Sequence, residues 1–371
     1  MRHLIICFVA GVLATTVHAE ATFKEAYQAY QDAVAKGQFR IAARHAETAY
    51  ELGEKRFEAN SPTLAALSLN HGNALLAVRS LEAERVLDRT LRMYERIHGK
   101  KAAELIDPLI SLGHAENHLG SRSFKRGRYD RALEIAEDAF GEQDDIVIRL
   151  NLDVGSRLTQ QGYREGRSYL RTAVNMTEEK HGLDKEAAIQ PLFWMGKYHL
   201  ANKSYKRAEG HFTNVAAIFD SIEGGNKVEL ALTNRAFLVE ALESQGKSEE
   251  ATQHCRLIGQ ARAWQPNQEQ TPIYQRMPKF PRTAVMRGIE GRVVLEYAVS
   301  PDGFVVDPEI IEVEGTNVFS EYTLAAFREW RFAPKVVGGN PVKSERLRRA
   351  ITYEIVKNQN VSRGSTLSRF D

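Results

Sequence analysis

The sequence predicts a mainly α protein, an α-solenoid of stacked helical hairpins followed by a small α+β C-terminal domain. Three observations carry this prediction. Glycines recur at Gly99, Gly141, Gly182 and Gly224, at intervals of 42, 41 and 42 residues. A period of that size marks supersecondary units that bury their apolar faces against one another. Between these glycines the apolar residues follow helical spacing, whereas from Glu290 onward, as in "GRVVLEYAV", they alternate like strands with one buried face.

At 371 residues the chain is longer than the usual single domain. Its 50 basic and 48 acidic side chains leave a formal charge of +2, so no whole-molecule field draws nucleic acid, which is not expected as a partner. The first element, 1–19, reads as a signal peptide. Arg2 supplies the basic start, Leu4 to Val17 the apolar run, and the small residues Val17 and Ala19 flank a cut after Ala19. The run is shorter than the roughly 20 residues that span a bilayer. Cleavage leaves Cys255 as the one cysteine, so stability comes from packing and not from a disulfide.

The solenoid is placed at 20–263. Motifs such as "GRYDRALEIAEDA", "SYKRAEGHFTNVA" and "GKSEEATQHCRLI" open the second helix of a hairpin, with Ala132, Ala208 and Ala251 small enough for close helix approach. On the first helices Asn70, Asn73, Asn117, Asn151 and Asn234 recur, either as carboxamide clamps for an extended peptide in a groove or as a solvated polar face. Gly196, Tyr205, Ala208 and Phe212 stand at a signature spacing, while Gly166 replaces the usual Ala and Ser121–Gly127 is inserted. These segments resemble tetratricopeptide repeats in the longer form of kinesin light chains. Five clear repeats and one degenerate repeat, from Phe23 to Phe57, are expected. The resemblance implies a face that binds proteins or peptides.

No residue pattern asks for chemistry. His114 and His118 lie one helical turn apart in "HAENH", but the motif is not HExxH and no third ligand follows. Cys255 occupies the place of the large apolar residue, as Phe212 does one repeat earlier, and is expected to be a buried, inert thiol. No Gly-rich phosphate loop and no GxSxG nucleophile motif is present. The protein is expected to be non-enzymatic, with no metal, no cofactor and no small-molecule substrate.

"AWQPNQEQTP" breaks the helical pattern, and 264–271 is assigned as a linker. In the domain at 272–357, Val293, Leu295, Tyr297 and Val299 share one strand face, "SPDG" makes the turn, and a return strand runs from Phe304 to Val313. A helix follows whose stripe of Phe319, Thr323, Ala326 and Trp330 covers the sheet. A last strand places Leu347, Ile351, Tyr353 and Ile355 on one side. The tail, 358–371, is polar and expected to be disordered.

Phe280–Pro281, Glu290–Gly291, Asp302–Gly303, Trp330–Arg331–Phe332 and Pro334 occur in an order and spacing that resemble the C-terminal domain of the TonB family. The family couples the inner-membrane proton gradient to outer-membrane transporters. Its binding mode implies strand addition at a sheet edge. Pro308 blunts the return strand. The last strand has no proline, and Arg346, Arg348, Arg349, Ala350, Thr352 and Glu354 are assigned to a partner-strand edge, its arginines serving either to deter aggregation or to attract an acidic segment. In the place of the family's N-terminal membrane helix and Pro-rich spacer, this sequence has the segment read as a cleavable signal and the repeat array. The expected protein is therefore a periplasmic adaptor for envelope proteins, outer-membrane transporters among them. The alternative is an energy transducer anchored in the inner membrane and facing the periplasm, in which case alone a membrane contact is expected.

Overall fold

The computed structural model describes residues 23–117, 124–225, 229–261, 270–356 and 365–370. The signal segment, His118 and most of the linker lie outside the described residues. The chain divides into two compact units, 1–180 and 181–371.

The first unit holds four antiparallel helix pairs. They are α1 (23–35) with α2 (Phe39–Arg56), α3 (Pro62–Ala77) with α4 (Glu82–His98), α5 (Ile106–Glu116) with α6 (Gly127–Phe140), and α7 (Asp145–Gln160) with α8 (Gly166–Lys180). Two more pairs open the second unit: α9 (Ile189–Ala201) with α10 (Tyr205–Ser221), and α11 (Glu229–Glu243) with α12 (Ser248–Ala261). In five of the six pairs, all but α5–α6, the tight turn has a left-handed residue at one fixed position. This residue is Gly37, Gly162 and Gly246, but Arg79 and Lys203 also adopt it, with φ of 58° and 56°. Stacking of successive pairs holds these side chains where an isolated turn would favour glycine.

Close packing within a pair repeats as well. Gly72, Gly113, Gly155 and Gly196 on first helices lie against Leu87, Tyr129, Leu170 and Phe212 on second helices; a Cβ on Gly196 would come within 2.6 Å of the Phe212 ring. In the α11–α12 pair the sizes are exchanged. Leu238 stands at the glycine position and Cys255 at the large one, both buried. Small and large side chains interdigitate in either order, which is why the last repeat is degraded in sequence but intact in fold.

The C-terminal elements are β1 (Pro272–Tyr274), α13 (Arg282–Arg287), β2 (Gly291–Val299), β3 (Val305–Glu314), α14 (Val318–Phe327), β4 (Arg331–Phe332), β5 (Lys335–Val337), β6 (Asn340–Val342), β7 (Leu347–Val356) and β8 (Ser365–Phe370). The main antiparallel sheet has the order β3-β2-β7-β8, with β1–β4 and β5–β6 as separate two-stranded ribbons. Val293, Leu295, Tyr297 and Val299 are all buried, and Phe319, Phe327, Trp330, Ile351 and Tyr353 complete one core. The strand alternation and the stripe of Phe319, Thr323 and Ala326 read from the sequence are thus the two halves of a single helix-on-sheet layer, but Trp330, expected on the same helix, lies three residues beyond the end of α14 and reaches the core from the turn before β4. The sheet has a strand more than expected, because Ser365–Phe370, placed in the disordered tail, pairs with β7 instead.

One half-buried group in particular makes stability depend on pH. His254 on α12 has a pKa pushed down to about 4, first by burial and then by the Arg235 guanidinium, which also pairs with Asp220. The folded pKa lies below the unfolded value near 6.5, so the unfolded state binds the proton more readily between these limits. Stability is full above about pH 6.5 and falls by roughly 2 to 3 kcal/mol as pH drops towards 4. Urea unfolding across this range should show the slope, and His254→Gln should reduce it, leaving the smaller contributions of His71 and His211, whose pKa values burial also lowers.

Candidate protein-binding edge and its anchor

The candidate edge belongs to β7. Its register with β2 is regular from Gly291↔Tyr353 to Tyr297↔Leu347. The Ile355 N–H donates to Glu290 Oε1 at 2.7 Å, on the β2 side. Main-chain groups alternate along a strand, so the N–H groups of Ala350, Thr352 and Glu354 point to the other side, the edge assigned from the sequence. That edge is not vacant. Ile351 to Val356 pair antiparallel with Phe370 to Ser365, so the chain's own β8 lies where a partner strand was expected.

The edge arginines need correction too. Arg346 donates to Glu296 at 3.1 Å and Glu309 at 2.7 Å, and Arg348 donates to Glu296 at 3.1 Å. These guanidinium groups hold the Glu296 carboxyl below its usual pKa, Arg348 foremost. Both arginines therefore lace the solvent face of β7 to β2 and β3 and are not free for an acidic segment. Arg349 is half-buried and falls on the alternate face with Leu347 and Ile351, not on the edge set. Pro308 sits in an irregular stretch of β3, where the register with β2 shifts between Glu296 and Ala298 and Asp307 takes a positive φ of 50°. The bulge and the proline blunt that side of the sheet.

The motif residues sort into two groups. Phe280 packs edge-on against Phe319 and Tyr353, with ring centroids 5.6 and 5.4 Å away, and Pro281 caps α13. Gly291 is confined by the Phe319 ring. Trp330 is fully buried and its Nε1–H donates to the Arg276 carbonyl at 3.0 Å; Phe332 is fully buried beside it. These aromatic side chains are core, whereas Glu290 is exposed and serves by its bond to β7.

The second group, Asp302, Gly303, Arg331 and Pro334, meets the last repeat. Arg331 is 1% exposed, ion-pairs with Glu243 at the end of α11, and donates to Thr252 Oγ1 at 2.7 Å and to the Asp302 carbonyl at 2.9 Å. Its guanidinium lies 3.7 Å over the Phe304 ring. Asp302 accepts from Arg256 Nε at 3.0 Å. A Cβ on Gly259 of α12 would meet the Pro334 carbonyl oxygen at 2.7 Å. The sequence reading treated the linker as separating two parts, but the sheet domain is seated on α11 and α12. Gly303 has a φ of 82°, and a Cβ there would overlap the Phe332 carbonyl and lie 3.3 Å from Cys255 Cβ.

Cys255 is fully buried at this contact, and burial pushes its thiol up to about 12. A thiol in that state is unreactive. Gly303→Ala should lift the turn from α12, and modification of Cys255 by a soluble thiol reagent, read by peptide mass, should speed up at least tenfold. An unchanged rate would show that the turn accommodates the methyl group in place.

On the repeats, three of the five asparagines turn inward. Asn117 is fully buried and closes the polypeptide from Gly113 to Lys125 through three hydrogen bonds; Asn151 donates to the Val147 carbonyl and Asn234 to that of Phe212. They hold the backbone of the repeats and are not peptide clamps. Asn70 and Asn73 stay half-buried. His114 is bonded to Tyr129 at 3.0 Å and Asp153 at 3.2 Å, and no cluster of metal-binding side chains occurs among the described residues. The sequence reading missed a surface on α9 and α11. There Lys197 Nζ lies 4.6 Å from the Trp194 ring and 4.9 Å from the Phe237 ring, and burial lowers its pKa.

Residues 276–355 match the family model described as Gram-negative bacterial TonB protein C-terminal. The C-terminal domain is TonB-like. Over 71 residues the chain is 37% identical to Protein TonB of Pseudomonas aeruginosa, and over 68 residues 34% identical to Protein TonB of Vibrio cholerae. These matches cover 19% and 18% of this chain, and it spans only 21% and 28% of those proteins. Among solved structures, that of BtubC (BKLC) from P. vanneervenii aligns with 68% of this chain and 96% of its own, at 15% identity and a TM-score of 0.45. The repeat fold therefore rests on the helix pairing itself. Among the described residues no helix is long and apolar enough to cross a membrane.

Proposed function

We propose that the protein is a non-enzymatic adaptor of the Gram-negative cell envelope, whose TonB-like domain takes up a partner's extended segment by strand addition at β7. One observation carries this reading: β7 already accepts an antiparallel strand along Ile351–Val356, supplied by the chain itself. A partner strand uses the same outward N–H groups once β8 leaves. Four or five backbone hydrogen bonds, each with a net value of about 0.5 to 1.5 kcal/mol, give a weak complex of roughly micromolar to millimolar order after docking entropy. The repeats supply a second contact, for which the half-buried Trp194, Lys197 and Phe237 on α9 and α11 are available. Two contacts on one assembly raise apparent affinity by roughly 10² to 10⁴ through effective concentration.

Calorimetry against periplasmic segments of outer-membrane transporters tests this, using the full chain, a chain ending at Val356, and Ala350→Pro. Removing β8 should tighten binding, by about tenfold if β8 is docked nine-tenths of the time. Ala350→Pro should weaken it, because its N–H faces the edge. Equal affinity for all three would overturn strand addition at β7.

A further inference from the structure

From Thr271 to Ile289 the chain carries Arg276, Lys279, Arg282 and Arg287 and not one acidic residue. Arg276 is engaged by Glu329. Lys279, Arg282 and Arg287 are exposed and form no ion pair among the described residues. Interleaved with them are apolar side chains that also face water. Met286 is 87% exposed, Met277 46% and Val285 40%. None of this comes from fraying, since Pro278, Pro281 and Ala284 are buried beneath them, Phe280 packs edge-on against the stacked rings of Phe319 and Tyr353, and Gly288 closes α13 in the left-handed conformation. The backbone is fastened to the core while the methionines and cations are presented outward.

Such a surface costs solubility unless something covers it. A stable protein interface takes about 800 Å² from each partner. This element offers six side chains on a loop and a single short helix, too little by itself. Its chemistry fits a bilayer boundary instead. Apolar tips enter the headgroup region while the flanking cations stay at the level of lipid phosphates, and the segment brings no carboxylate of its own to repel an anionic surface, the neighbouring Glu329 being paired with Arg276. We propose that Met277–Arg287 docks the TonB-like domain on an anionic phospholipid surface, a membrane contact separate from residues 1–19 and independent of strand addition.

The test compares the full chain with two variants, so that any contribution of residues 1–19 is common to all. These are Met286→Ser and the triple reversal Lys279→Glu/Arg282→Glu/Arg287→Glu, each checked for folding by circular dichroism. Partition is measured by co-sedimentation with phosphatidylcholine vesicles, with and without about one-third phosphatidylglycerol. The expected result is stronger partition of the full chain on anionic vesicles, a loss of several-fold for Met286→Ser, and a loss of at least about tenfold for the triple variant, each near-surface cation being worth about fivefold. The loss for the triple variant should be absent on neutral vesicles, where the cations have no anionic lipid to meet. Equal partition of the full chain and its variants overturns the proposal, as does an equal loss when Lys24, Arg40 and Arg44 are reversed instead. Retention of soluble polyglutamate by the full chain, lost in the triple variant and without any preference for anionic vesicles, also overturns it and assigns the element to an acidic protein.

Discussion

Glu243→Ala should cost about 3 to 5 kcal/mol, because it strands the Arg331 guanidinium in a buried site without its counter-charge. Arg331 is 1% exposed and the Glu243 side chain 10%, so water does not replace the missing carboxylate. The remaining bonds to Thr252 and to the Asp302 carbonyl, with the stacking on Phe304, satisfy donors but leave the charge uncompensated. The expected result is an undocked sheet domain, not an unfolded repeat array. Hydrogen exchange should therefore accelerate at β4 and the Ser300–Phe304 turn, and Cys255 should become open to thiol reagents, while α3 to α8 keep their protection. A decisive companion is Glu243→Leu with Arg331→Met. Replacing both ions by apolar groups of similar size removes the desolvation penalty along with the attraction, so most of the lost stability should return. If the double variant is as unstable as Glu243→Ala, the contact depends on hydrogen-bond geometry and not on charge pairing.

Trp330→Ala should be about as damaging inside the domain, at roughly 3 to 5 kcal/mol. The indole is fully buried, with Phe327 at 4.6 Å and Phe332 at 6.2 Å between ring centroids. Its removal leaves a cavity at the junction of α14, β2 and β4, and it also leaves the Arg276 carbonyl without the donor at 3.0 Å. Urea unfolding followed by exchange at β2 and β7 should report the loss. Trp330→Phe should recover part of the packing but not the hydrogen bond. Unchanged exchange in β2 and β7 for Trp330→Ala would show that α14 and the sheet hold together without the indole.

These two neighbours show how far a sequence reading reaches. Trp330 was legible as core, because a large aromatic residue in phase with Phe319, Thr323 and Ala326 has one place to go when a sheet with one apolar face lies beside it, although α14 ends at Phe327 and the indole enters from the turn that follows. Arg331 was legible only as part of a motif. No local rule states that a guanidinium will be buried, and its partner is 88 residues earlier, on a helix of the last repeat. The asparagines failed for a related reason. Their recurrence marked a functional face, yet Asn117, Asn151 and Asn234 spend their carboxamides on backbone carbonyls, a choice set by helix stacking.

The sequence by itself determined the repeat period, the change from helical to alternating spacing, and the buried face of each strand, because these follow from covalent periodicity and the need to remove apolar surface from water. Only the tertiary structure decided the rest. A polar tail becomes β8 because an unpaired row of β7 N–H and C=O groups is in reach, and the gain belongs to the edge rather than to the tail's own residues. The sheet domain sits on the last repeat because Arg331, Gly303 and Gly259 complement α11 and α12 in charge and shape. Complementarity between surfaces distant in sequence has no period to read, and it exists only once both surfaces are folded.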